Sequence, residues 1–180
     1  SGIDWIVSNK DKYSIKVLNL SFGAKPQSYY WDDPINQAVM KAWQAGIVVV
    51  TSAGNTGPDP MTIGVPGNVP YVITVGAMTD SYTPFDYSDD RMTTFSSAGP
   101  THEGFIKPDV VAYGGHMRAH IAGHKAIATH HPESAVGYGY FEISGTSQAS
   151  AVTSGTVALM LSQNPELSPD DVKCRLMSSA

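Results

Sequence analysis

Apolar positions along this chain change period several times, and each change marks an element. Ile15 to Leu20 reads as a strand. Asp33-Pro34 then supplies an N-cap and a first-turn proline for a helix in which Ile35, Ala38, Val39, Ala42 and Trp43 recur at helical spacing, which predicts that they face inward. Gly46 ends that helix. Ile47 to Ser52 follows after a very short connection as a continuous apolar run, the pattern of a central parallel strand covered on both faces. Tyr71 to Ala77 is a further strand, Thr79 to Thr101 is rich in Asp, Ser and Pro and reads as surface loop and hairpin, and Lys107 to Ala112 resumes extended structure. Tyr138 to Ile143 alternates enough to be a strand, and Ala149 to Gln163 carries Ala, Val, Leu and Met at helical spacing without proline. A last helix starts at Ser168-Pro169-Asp170-Asp171, a serine cap with an acid three residues on. At the other end, Gly2 to Val7 reads as a turn of amphipathic helix with Ile3, Ile6 and Val7 inward and Asp4 on the surface. Strands alternating with helices across short links predict one α/β array around a mostly parallel sheet.

Composition narrows the partners. With 180 residues, 42% of them hydrophobic, the chain can bury a respectable core. A net charge of −5 leaves no basic stripe to neutralise phosphates, so nucleic acid is excluded as a partner. No apolar run of about 18 residues exists, so nothing in the sequence spans a membrane as a helix. The single cysteine, Cys174, rules out an internal disulfide framework and is read as a packed small hydrophobe of the last helix.

Candidate chemistry concentrates at Ile143-Ser144-Gly145-Thr146-Ser147-Gln148-Ala149-Ser150-Ala151. Ser147 falls at a strand-to-helix junction among small residues, where free N–H groups and the helix dipole favour an anion. A nucleophilic serine and a simple helix cap carry about equal weight on this motif alone. Asn55 lies just past the end of the Ile47–Ser52 strand in a glycine-rich turn, where open α/β sheets place their ligand crevice. Its amide could donate to an oxyanion beside Ser147; taken singly, a turn asparagine is the more frequent explanation.

Four ordered motifs change that balance. Asn19-Leu20-Ser21-Phe22-Gly23, Ser52-Ala53-Gly54-Asn55, Lys107-Pro108-Asp109-Val110-Val111-Ala112 and Gly145-Thr146-Ser147-Gln148-Ala149 together resemble the second part of a subtilisin-like serine protease domain, from about Val17 to the end of the chain. The resemblance implies a three-layer α/β sandwich with a mostly parallel central sheet, Ser147 as nucleophile and Asn55 as oxyanion-hole donor. It implies that Ser21, Phe22 and Gly23 pair with substrate backbone, that Ser52, Ala53 and Gly54 form the other wall of the primary specificity pocket, and that Gly64, in Ile63-Gly64-Val65-Pro66-Gly67, lies on its floor with a cis bond before Pro66. The substrate would be a peptide or protein, the setting extracellular, and no cofactor would be needed for the chemistry. Structural calcium is frequent in the family; Asp80, Asp86, Asp89 and Asp90 could supply oxygens, although solvated loop acids are the more ordinary reading.

One departure stands out. In that family the triad runs Asp, His, Ser along the chain, whereas all six histidines here follow Asn55 and no Asp-Thr-Gly or His-Gly-Thr segment is present. The expectation is therefore that residues 1–180 are the C-terminal portion of one such domain, that the sheet is incomplete because N-terminal strands are absent, leaving edges such as Val17–Leu20 open, and that the isolated segment is inactive and pairs with the missing portion. Two alternatives belong beside it: a catalytically dead scaffold that still binds peptides, and a metal site. His116, His120 and His124 recur every four residues, which on a helix would align three imidazoles as ligands, though Gly114, Gly115, Gly123 and Pro132 weaken any helix there.

Overall fold

All five residues of the strand Val48–Ser52 are buried. Successive side chains on a strand point to opposite faces, so this strand is covered on both sides and forms the middle layer of three. The computed structural model describes residues 2–180. Its elements run α1 (Gly2–Tyr13), β1 (Val17–Leu20), α2 (Pro34–Gln44), β2 (Val48–Ser52), β3 (Ile73–Thr79), β4 (Arg91–Met92), β5 (Val110–Tyr113), β6 (Met117–His120), α3 (Ala126–His130), β7 (Ala135–Gly137), β8 (Tyr140–Ile143), α4 (Thr146–Gln163) and α5 (Pro169–Ser179).

The main sheet sets β1, β2, β3 and β5 parallel, with Val17 opposite Val48, Val50 opposite Ile73 and Val75 opposite Val110. The short β4 adds antiparallel to the end of β3. β1 is the outermost strand, and among the described residues nothing pairs with its other edge. A small antiparallel sheet, β6-β8-β7, follows in the chain. Helix α4 runs against β1, β2, β3 and β5, while α2 packs on β2 and carries α1. The core joins Val39 and Trp43 of α2, Val48 to Val50 of β2, Ile73 and Val75 of β3, Val157 and Leu161 of α4 and Val172 of α5.

Local sequence explains most element ends. Asp33 caps α2 by accepting from the Ile35 and Asn36 N–H groups. Ser168 and Asp171 form a reciprocal capping box on α5. Ile3, Ile6 and Val7 of α1 pack against the core as the amphipathic pattern predicts. The Lys107-Pro108-Asp109 segment is a buried clamp. Asp109 accepts from the Thr74 N–H at 2.7 Å and pairs with Lys107 at 2.6 Å and Lys173 at 3.0 Å, while Lys173 also donates to the carbonyls of Pro70, Tyr71 and Val72. These bonds tie α5 and the start of β5 to the entry of β3.

Two expectations and one alternative are corrected. Ile35 does not face inward: it is 39% exposed, and the fully buried neighbour is Asn36, whose amide donates to Asn68 Oδ1 at 3.0 Å. Cys174 is exposed rather than packed, because Val172 and Leu176 take the inward positions of α5 and leave residue 174 between them on the far side. The three histidines share no helix: His116 precedes β6, His120 ends it and His124 sits in the turn beyond. A strand-and-turn path scatters side chains that a helix would align, and among the described residues no three His, Cys, Asp or Glu side chains are grouped to hold a metal. The loop acids have their own partners: Asp80 accepts from the Tyr82 N–H, Asp86 from Ser88, Asp89 from the Thr83 hydroxyl and Asp90 from the Tyr113 hydroxyl.

Candidate active site

The carboxyl ends of the parallel strands converge with the start of α4. Between β8 and α4 only Ser144 and Gly145 intervene. The Gly145 N–H donates to the Gly114 carbonyl at 2.8 Å, just past the end of β5. A Cβ on Gly114 would lie 2.6 Å from the Gly145 carbonyl oxygen and 2.9 Å from the Ala77 Cβ, so only glycine lets the turn approach the sheet this closely. The first turn of α4 is thereby seated on the sheet edge where Ser21 follows β1 and Asn55 follows β2, the edge at which open α/β sheets bind ligands.

Asn55 is aimed by its neighbour across that edge. Its Oδ1 accepts both from the Thr146 N–H and from the Thr146 hydroxyl, each at 2.9 Å. Thr146 Oγ1 accepts in turn from the Gly54 N–H at 3.2 Å. With the amide oxygen occupied at the helix start, Nδ2 is turned toward the space beside Gly145. A Cβ built on Gly145 would stand 3.5 Å from Asn55 Nδ2 and 3.7 Å from the Ser147 nitrogen. Two donors therefore border one small hollow. The N–H of Ser147 lies in the first turn, where no intrahelical carbonyl is available to it.

Ser147 is half-buried, and its hydroxyl donates to the Ser21 carbonyl at 3.2 Å. Ser21 answers through its own hydroxyl, which donates to the Ser147 carbonyl at 3.0 Å and lies 2.9 Å from Ser150 Oγ. The edge strand β1 is thus fastened to α4 at the serine, with no histidine as hydrogen-bond partner of its Oγ among the described residues.

Beside these groups opens a cleft of about 580 Å³. Ser147, Asn55, Ser21, Phe22, Gly23, Ser52, Ala53, Gly54 and Gly64, scattered over 127 positions of sequence, all line it. Its two walls differ. Ala53 and Gly54 spend their backbone groups internally, on Val75, Gly64, Thr146 and Ser97, and form a fixed surface. Phe22 and Gly23 have no backbone partner among the described residues, and pairing resumes only at Ala24, which bridges Val65. Open main-chain groups therefore lie along Phe22 and Gly23 on the Ser21–Gly23 side of the cleft. The Val65–Pro66 bond is cis.

Several lining residues escaped the sequence reading. Thr146 stood inside the motif without a role, since nothing local shows that its hydroxyl reaches Asn55. Lys25, Met61 and His102 come from loops that only the fold brings together, and Lys25 and His102 are the ionisable side chains of the cleft.

A serine hydroxyl in the first turn of a helix, with a side-chain amide and the serine's own N–H around one hollow at the edge of a parallel sheet, is the kind of arrangement that serine hydrolases use to hold an oxyanion. Comparison with known proteins resolves the class further. The model of the Subtilase family matches residues 1–180. Serine protease AprX of Bacillus subtilis (strain 168) is 42% identical over 177 residues, covering 96% of this chain and 40% of that protein. Subtilisin DY of Bacillus licheniformis is 34% identical over 182 residues, covering 100% of this chain and 53% of that protein. Among solved structures, an S41 psychrophilic protease superposes with a TM-score of 0.76 at 28% identity, covering 98% of this chain and 53% of the other, and sphericase gives 0.76 at 25%, covering 99% and 53%. The chain belongs to the subtilase family, a family of subtilisin-like serine proteases. It spans 40% of the length of AprX and 53% of that of subtilisin DY.

Proposed function

We propose that this chain carries the nucleophile, the oxyanion site and part of the substrate groove of a serine endopeptidase. Ser147 Oγ attacks the scissile carbonyl carbon; as the C–O bond forms, the carbonyl π pair moves onto oxygen, and the resulting oxyanion is held by Asn55 Nδ2 and the Ser147 N–H. The hydroxyl proton passes to an imidazole base oriented by a carboxylate. Collapse of the intermediate expels the amine, which takes that proton, and water then releases the acyl group from Ser147. The observation that carries the reading is the pinning of Asn55 Oδ1 by Thr146, which aims Nδ2 at the hollow. Donors fixed before the reaction need no reorganisation as charge develops.

The base is proposed to lie outside residues 1–180. Of the six histidines only His102 lines the cleft, and the Ser147 hydroxyl is engaged by the Ser21 carbonyl. Segment 1–180 alone is accordingly expected to be nearly inert; in subtilisin itself, loss of the histidine costs about as much as loss of the whole triad. The unpaired backbone of Phe22 and Gly23 supports docking of an extended peptide as an added strand. The chemistry needs no cofactor. Secretion is proposed from the family alone; among the described residues no helix is long and apolar enough to cross a membrane.

The test is labelling of the full-length protein by a serine-directed phosphonate. Incorporation that disappears in Ser147→Ala supports the reading. Peptide binding without any labelling would instead identify a catalytically dead scaffold.

A further inference from the structure

Gln148 follows the serine directly, and nothing assigned so far uses it. Gly145, across the hollow, explains why it matters. With φ 168 and ψ 157 the Gly145 backbone is extended, so its dihedrals would accept any residue. What a side chain there would lack is room. The Cβ position lies 2.7 Å from Gln148 Oε1, closer than to Asn55 Nδ2 at 3.5 Å or the Ser147 nitrogen at 3.7 Å. Three polar atoms of different origin thus surround one volume: a side-chain amide pinned at its oxygen, a backbone N–H of a helix start, and a second side-chain amide. The second differs from the first in its freedom. Gln148 is half-buried, its backbone N–H is engaged with the Gly145 carbonyl at 3.1 Å, and its side-chain amide has no hydrogen-bonding partner among the described residues.

We infer that Gln148 is a third oxyanion donor of the site, an inference that rests on the protease reading above. A carboxamide carries an acceptor and two donor hydrogens on a planar group. A half-turn about its Cγ–Cδ bond exchanges oxygen for nitrogen at the same place. In the structure the amide oxygen faces the hollow; when negative charge forms on the substrate carbonyl oxygen, the field selects the flipped rotamer with Nε2–H inward, alongside Asn55 Nδ2 and the Ser147 N–H. Bond formation is unchanged: the electron pair displaced by the serine resides on the same oxygen, now with one more donor. Because this amide must turn before it helps, its contribution is smaller than that of the pinned Asn55, for which preorganisation is complete.

Gln148→Leu keeps bulk and removes the donor. Gln148→Glu keeps shape and substitutes a group that, once ionised, offers only acceptors and like charge to the oxyanion. In the full-length protein, Gln148→Leu is expected to lower kcat about tenfold with KM within about twofold, and Gln148→Glu to lower kcat about a hundredfold at pH 8, by analogy with loss of single oxyanion donors. The ratio of Gln148→Glu to parent kcat should rise as pH falls through the glutamate range, because the protonated acid regains a donor; taking the ratio cancels titration of the shared base. Affinity for a peptide aldehyde, which forms the tetrahedral adduct, should fall in step with kcat. If both variants keep parental kcat and aldehyde affinity while Asn55→Ala loses them, the role of Gln148 is wrong and the protease reading stands. If the parent is neither labelled by phosphonate nor active, both fall together.

Discussion

Thr146 holds Asn55 by two hydrogen bonds to one atom: its N–H and its hydroxyl both reach Asn55 Oδ1 at 2.9 Å. A side-chain amide on a loop would otherwise choose among rotamers. Here the helix start uses two of its own donors to fix it, and the same hydroxyl accepts from Gly54 N–H, so one residue ties turn, amide and helix.

Replacing Thr146 by valine keeps the packing but removes the hydroxyl. The amide then keeps one bond of two, and kcat should fall about tenfold while KM changes little, since one neutral hydrogen bond accounts for roughly 1 kcal/mol. Thr146→Ser should restore most of the rate. Equal kcat in valine and serine variants would show that the Thr146 N–H suffices.

Gly145→Ala separates activity from stability. The extended backbone accepts alanine, and the nearest atom to the new methyl is the movable end of Gln148, so the unfolding midpoint should shift by less than about 0.5 kcal/mol in free energy. The methyl nevertheless fills the hollow, and kcat should drop about a hundredfold or more. A full-rate variant would place the oxyanion elsewhere.

Asn36 and Asn68 form a buried pair, 0% and 1% exposed, with a single 3.0 Å bond between α2 and the loop before β3. Asn36→Ala strands the Asn68 carbonyl and should destabilise the protein by about 1–3 kcal/mol in a denaturant titration, with kcat untouched in what remains folded.

Burial pushes the Lys107 ammonium down from 10.5 to about 7, against the pull of Asp109 and with some help from Lys173. Below pH 7 the lysine is protonated in folded and unfolded chains alike, and the cost of burying its charge is fully present. Between pH 7 and 10.5 the unfolded chain holds a proton that the folded one has released, so stability rises with pH, by at most about 1.4 kcal/mol per pH unit; above 10.5 the gain is complete. Subtracting the pH profile of Lys107→Met from that of the parent isolates this rise. A flat difference would mean that the ion pair with Asp109 keeps the lysine charged throughout.

How much was legible beforehand follows from the range of the forces concerned. Asp33 before Pro34, the Ser168–Asp171 box and the apolar Ile47–Ser52 run act within a few residues, and their elements formed where the pattern places them, within a residue or two. The same local logic misjudged Ile35, because helical spacing cannot show that Asn36 will find a hydrogen-bond acceptor in Asn68 inside the core. The alternative that needed His116, His120 and His124 on one helix, against which Gly114, Gly115, Gly123 and Pro132 already spoke, fails because antiparallel pairing with β8 makes a strand of Met117–His120.

Sequence alone determined the α/β layering, the family and the short list of residues at stake, because hydrophobic period, caps and ordered motifs are written along the chain. Tertiary structure alone decided which atoms meet. Ser21, Asn55, Thr146 and Ser147 are brought together by parallel pairing of β1, β2 and β3 and by the close seat of α4 at Gly114. Contact between groups about 90 to 126 positions apart depends on strand register and packing of the whole sheet, to which no local pattern gives access.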